Sequence, residues 1–145
     1  LGENDFAFKI AETALEAWKK ECEYSYYTFE MVNIKTERGG WFHNFGGLSS
    51  PVNLWSFAYF LKGTFNCGFD CFVKNRSFNS DCTEFTASTE YYGDNDSYTL
   101  IAVMNDKKDY EVFVNGEKIN AFSRKKGEVE ITLGGKIKEA EILIK

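Results

Sequence analysis

The chain of 145 residues fits one domain of ordinary size, or two small pieces that share a core, and excludes two large independent domains. Seventeen Lys and Arg against twenty-two Asp and Glu leave a net charge of −5, so no summed positive field exists to hold nucleic acid or an anionic membrane. Hydrophobic residues at 43% and a single proline describe a chain that folds, while 17% aromatic residues exceed what so small a core hides, so some rings are expected at the surface.

The chain opens with Leu1 rather than Met, and Leu1 to Asp5 lacks the basic and apolar regions of a signal peptide. A cleavage site, a cloning boundary or the edge of a fragment is expected there. From Asn4 to Cys22, Ala7, Ile10, Ala11, Ala14, Ala17 and Trp18 recur at helical spacing with Glu12, Glu16, Lys19 and Lys20 opposite. This predicts an amphipathic helix capped by Asn4 or Asp5. Tyr24 to Arg38 is too aromatic for a plain linker, and Gly39-Gly40 and Gly46-Gly47 bracket Trp41 to Phe45 in a tight, shaped loop. Ser50-Pro51 then starts a second helix, Pro51 to Lys62, that stops at Gly63 and is apolar almost all round. Its longest apolar run, Trp55 to Leu61, falls far short of the roughly 20 residues that span a bilayer.

After Gly63 the period changes to two. Gly68 to Val73, Phe85 to Tyr91 and Tyr98 to Met104 read as strands. Tyr110 to Val114, Asn115-Gly116 and Glu117 to Ile119 read as a hairpin, because Asn-Gly accepts the two positive φ angles of a type I′ turn. Glu128 to Leu133, Gly134-Gly135 and Glu139 to Ile144 read as a second hairpin, with Val129, Ile131 and Leu133 on one face. The expected fold is α+β: an N-terminal helical hairpin, residues 1–63, packed on a C-terminal antiparallel β-sandwich, residues 64–145, of jelly-roll-like form.

Three of the four cysteines (Cys67, Cys71, Cys82) cluster while Cys22 sits on the first helix, so two disulfides or four thiols both remain open. Cys67-x-x-x-Cys71 lacks the two-residue spacer of a zinc knuckle, and His43 is the sole histidine, so no metal or other cofactor is expected. Asp94-Asn95-Asp96 reads as a turn in preference to a calcium loop. Asn75-Arg76-Ser77 and Asn95-Asp96-Ser97 match the glycosylation pattern by chance in so polar a chain.

The densest chemistry lies between the helices, where Glu30 sits among Tyr26, Tyr27, Phe29, Trp41, Phe42 and Phe45. A carboxylate among rings is poorly solvated, its pKa rises, and it suits acid or base work on sugars, which aromatic faces and amides also bind. The alternative is an edge glutamate in water with the rings in the core.

The order Phe29-Glu30, a turn with Thr36-Glu37, Gly39-Gly40-Trp41-Phe42, then Asn44 to Ser50 opening a helix resembles the last hairpin of the (α/α)-barrel glycoside hydrolases, the group that includes trehalases and related glucosidases. The resemblance covers about residues 6–62. It implies a fragment of an enzyme with Glu30 as the catalytic base that activates water, with Trp41, His43, Asn44 and Phe45 along the sugar subsite and a saccharide as substrate. The sequence departs from the family in Thr36-Glu37-Arg38 for the usual Thr-Gly and in Gly47 where Trp is expected. Twelve helices make such a barrel and two are present, so the resemblance implies that the remainder of a larger enzyme, or a partner subunit, completes the site.

The strands resemble a galectin or laminin-type lectin sandwich through Glu111 to Gly116, which implies a glycan-binding module without catalysis, with Trp41, Trp55, Tyr91 and Tyr92 as stacking rings. A third expectation is a structural or assembly domain that uses its exposed rings as a protein interface.

Overall fold

A computed structural model describes residues 3–27, 29–33, 35–36, 38–43 and 49–145, with residues 30, 41–43 and 49 described by their backbone. The chain is α+β. Helix α1 (Asn4–Ser25), strands β1 (Phe29–Val32) and β2 (Gly39–His43) and helix α2 (Ser49–Tyr59) come first. Strands β3 (Thr64–Asn66), β4 (Cys71–Phe78), β5 (Phe85–Tyr91), β6 (Ser97–Val103), β7 (Val112–Val114), β8 (Glu117–Ile119), β9 (Glu128–Gly134) and β10 (Glu139–Ile144) follow. The chain divides into two compact units, Leu1–Phe57 and Ala58–Lys145, so the division falls inside α2 rather than at Gly63. Among the described residues no helix is long and apolar enough to cross a membrane.

In the first unit, α1 runs three residues beyond its clear periodicity because Tyr26 can end it. Tyr26 takes φ 61°, the left-handed conformation, and its N–H donates to Cys22 O at 2.9 Å, which satisfies one of the last helical carbonyls. The expected cap at Asn4 or Asp5 is corrected: Glu3 precedes the helix and makes no side-chain cap bond. Asn4 and Asp5 lie inside the first turn, where the Asp5 charge suits the positive helix end. Helix α2 begins with Ser49, which leaves Pro51 in the first turn, where a missing N–H costs nothing. It ends at Tyr59, earlier than expected, and Gly63 (φ 84°) then donates its N–H to Val103 O at 2.8 Å.

The second unit is a sandwich. One sheet has the order β4-β5-β10-β7-β8 and the other β3-β6-β9. The chain changes sheet between β3 and β4, β5 and β6, β6 and β7, β8 and β9, and β9 and β10, the weave of a jelly roll. Leu100 and Ala102 of β6 and Val129, Ile131 and Leu133 of β9 fill the interior against Phe85, Ala87, Val112, Ala140, Ile142 and Ile144. Full burial of Leu100, Ile131 or Ile144 contributes about 2 kcal/mol each.

The β7–β8 hairpin forms as its sequence implies, with Val112 opposite Ile119 and Val114 opposite Glu117, and Asn115 and Gly116 at φ 52° and 82°. The second expected hairpin does not form. Strand β9 pairs with β6, and β10 enters the other sheet between β5 and β7. The reason lies at Gly135, whose N–H donates to Asp96 O at 2.7 Å and where any side chain would meet the Asn95 carbonyl. Pinned against the β5–β6 loop, the chain crosses between sheets, so the apolar rows of β9 and β10 face each other across the core instead of lying side by side.

Candidate functional site

In the first unit, β1 and β2 form an antiparallel ribbon between α1 and α2. Asn33 shapes its turn. The Asn33 Oδ1 accepts the Lys35 and Thr36 amides at 2.9 and 3.1 Å, and the Asn33 N–H donates to Arg38 O at 2.9 Å. An Asn side chain that gathers the next amides in this way is a local turn maker. Val32 pairs with Gly39, Met31 with Gly40, and Phe29 with His43. Between the last two pairs Glu30 alone opposes both Trp41 and Phe42, the two-against-one count of a β-bulge, a device that re-aims side chains near active sites. Glycine is required at position 39, because the Phe29 ring occupies the place of a Cβ there. The ribbon thus holds Glu30, Trp41 and His43 on neighbouring strands, while Asn44 and Phe45 lie outside the described residues.

The helix fixes this ribbon through Glu21, which is buried on α1. Arg38 Nε donates to Glu21 Oε2 at 2.7 Å and the Gly39 amide donates to the same oxygen at 2.9 Å. The Arg38 bond, then the Gly39 amide, hold the Glu21 carboxyl down to about 2 against the opposing effect of burial. The Arg38 guanidinium also lies 3.7 Å from the centre of the Tyr24 ring. This clamp was invisible in the sequence, where Glu21 reads as one more polar helix residue.

Beside the clamp, the apolar stripe of α1 lines a groove of about 560 Å³ with Val32 of the ribbon and Val52 and Trp55 of α2. Phe6, Ile10, Ala14 and Trp18 line it at successive helical turns, and Lys9, Thr13 and Asn33 are its polar members. The Trp18 indole N–H is buried there with no acceptor among the described residues. Trp55 therefore belongs to an apolar wall.

The sandwich carries a second group of rings at one end. Phe69, in the β3–β4 turn, is 99% exposed, Tyr92 is 63% exposed, and Phe72 on β4, three positions after Phe69, is exposed as well. Tyr92 is held: its hydroxyl donates to the Phe69 carbonyl and its N–H to Asp70 O at 2.9 Å. Tyr91 is corrected as a stacking ring for a ligand. It is 3% exposed, stacks on Tyr98 with centroids 4.1 Å apart, and is part of the core. Between β5 and β6, Asp94 to Asp96 form a loop in which the Asn95 N–H donates to the Tyr91 hydroxyl at 3.1 Å and the Asp96 carbonyl accepts Gly135. Among the described residues no three His, Cys, Asp or Glu gather to hold a metal ion, and all four cysteines are free thiols.

One cluster had no sequence signal. Alternation along β9 puts Val129, Ile131 and Leu133 inside and predicts Glu128 and Glu130 in water, yet both glutamates are buried. Phe122 bridges to Glu130 and the segment that follows covers this face. Arg124 pairs with both carboxylates, and its amide donates to Glu128 Oε2 at 2.6 Å. Burial pushes the Glu128 carboxyl up, with Arg124 opposing, and burial likewise raises the nearby Tyr59 hydroxyl. Glu128, with Lys108, Asp109, Phe122 and Lys126, lines a smaller hollow of about 170 Å³.

Compared with models of protein families, with curated proteins and with solved structures, the chain matches none at a significant level.

Proposed function

We propose that this chain is the C-terminal part of a glycoside hydrolase acting on oligosaccharides, in which Glu30 is the general base that activates water. The observation that carries the reading is the bulged β1–β2 ribbon, in which Glu30 stands across from Trp41 and Phe42 with His43 following. A base for glycoside cleavage must be fixed beside a sugar ring, and a ribbon anchored through Arg38 and Gly39 on one buried carboxylate is a rigid mount for it. The apolar groove along α1 supports the same reading, since Phe6, Ile10 and Trp18 offer at helical spacing what further helices of a barrel bury. A partner carboxylic acid then comes from those helices. The test is Glu30→Gln in the full-length polypeptide, assayed on a panel of oligosaccharides. Turnover should fall about 10²–10⁴-fold with the circular dichroism spectrum unchanged, and unaltered turnover removes the assignment.

A second reading, a lectin-like carbohydrate-binding module, rests on Tyr92, whose ring is exposed while its hydroxyl is tied to the Phe69 carbonyl. A ring fixed in this way loses little entropy when a sugar stacks on it. Retention of the chain on immobilised glycans that Tyr92→Ala abolishes supports the module, and equal retention of both proteins excludes this surface.

A further inference from the structure

The turn from β3 to β4 is closed by two cysteines. Gly68 takes φ 76° and brings the chain round so that Cys67 Sγ donates to Cys71 O at 3.2 Å. Cys71 belongs to the buried core of the sandwich and Cys67, half-buried, packs against it. Cys82 is at the far end of β3, where its sulfur neighbours Gly63. The four residues from Gly63 to Cys67 span on the order of 13 Å in a strand, too far for that sulfur to compete.

From this juxtaposition we infer that Cys67 and Cys71 are a disulfide site, which an oxidised low-molecular-weight thiol such as glutathione disulfide closes. Cys67, the more accessible sulfur, gives up its proton to solvent and attacks one sulfur of glutathione disulfide, and the departing glutathione thiolate takes up a proton. Cys71 then loses its proton and attacks Cys67 Sγ in the mixed disulfide, releasing the second glutathione. Two protein thiols are oxidised, one glutathione disulfide is reduced to two glutathiones, and the proton count balances. Burial holds the Cys67 thiol up at about 12 and raises Cys71 as well. That makes the attack slow at neutral pH. It also makes Cys67 a poor leaving group, so the closed bond resists reduction, the behaviour of a structural disulfide.

The bond would staple a turn that has consequences for the surface. Between the two cysteines lie Phe69, whose carbonyl accepts the Tyr92 hydroxyl, and Asp70, whose carbonyl accepts the Tyr92 amide. The inference is independent of whether those rings meet a saccharide.

The test uses the full chain as wild type, as Cys22→Ser/Cys82→Ser, and as Cys67→Ser, equilibrated with glutathione disulfide in mildly alkaline buffer, then denatured, alkylated and digested with trypsin. In the first two proteins the peptide Gly63–Lys74 should be two hydrogens lighter and should resist alkylation until reduced. In Cys67→Ser, Cys71 should alkylate fully. The oxidised double variant should unfold several degrees above its reduced form. Full alkylation of both thiols at equilibrium, a glutathione adduct that persists on Cys67, or a link from either residue to Cys22 or Cys82 overturns the inference.

Discussion

Arg38 and Gly39 converge on one oxygen of Glu21, at 2.7 and 2.9 Å, so a single carboxylate on α1 sets where β2 begins. The folded-state pKa of Glu21 is about 2 against an ordinary 4.5. A depressed pKa adds stability that is complete above about pH 4.5 and is lost as the pH falls toward 2. Arg38 is half exposed, so solvent screens the pair, and Glu21→Gln is expected to cost about 1–2 kcal/mol at neutral pH. Denaturant melts of both proteins from pH 7 down to pH 2.5 should show that gap closing. A gap that stays constant across the range contradicts the assignment.

Arg124 presents the opposite sign. It serves two buried glutamates, and Arg124→Ala leaves both charges without it, at a cost of about 3–5 kcal/mol. Because burial raises the Glu128 pKa, the fold holds a proton on that carboxyl more tightly than the unfolded chain does. The contribution from that group is complete below its unfolded value and is lost as the pH rises through the folded one. The Arg124→Ala protein should therefore recover stability on mild acidification, and Glu128→Gln added to it should recover part of the loss at neutral pH. Chemical denaturation at pH 5 and pH 8 distinguishes this from simple loss of packing, which would be indifferent to pH.

The β7–β8 turn separates backbone from side-chain effects. Gly116→Ala places a Cβ at φ 82° and should cost about 1 kcal/mol. Asn115→Ala should cost more, since Asn115 is also left-handed and its side chain accepts the Glu141 amide at 2.8 Å and donates to Glu139 O at 3.3 Å. Thermal midpoints of the two variants test the order, and equal losses would mean the side-chain bonds contribute nothing.

Two adjacent tyrosines should behave as opposites. Tyr91→Ala empties a core position against Tyr98 and should cost about 3–4 kcal/mol. Tyr92→Ala removes an exposed ring with one hydroxyl bond, leaves its backbone bond to Asp70 in place, and should cost about 1 kcal/mol or less. Urea unfolding of the pair decides between this arrangement and one in which both rings are structural.

Where the sequence could be read, it was through patterns that local physics enforces. The stripe from Ala7 to Trp18 made α1 visible, Asn115-Gly116 made its hairpin visible, and alternation in Val129, Ile131 and Leu133 picked the core row of β9 correctly. What failed needed contacts far apart in the chain. Gly134-Gly135 carries the same local signal as a hairpin turn, and only the Asp96 carbonyl and the crowding at Asn95 convert it to a crossover. Glu128 and Glu130 obey the alternation and still end up buried, because the cover is a loop whose residues have no periodicity. The grip of Glu21 on Arg38 and Gly39 joins positions seventeen and eighteen apart, beyond any helical or strand register. For the candidate site, the sequence shows aromatic residues flanking Glu30 along the chain, whereas the bulge that sets Glu30 across from two residues depends on a register no single strand encodes.

Strand β10 lies in the middle of its sheet, bonded to β5 on one side and β7 on the other, and Lys145 exchanges backbone hydrogen bonds with Glu111. During synthesis this keystone emerges after all the others. Until it pairs, β5 and β7 have no shared neighbour and the sheet has two raw edges in place of one continuous ladder. Losing a handful of residues after Lys138 would be felt as loss of the whole sandwich, since a middle stave cannot be removed without the others falling apart.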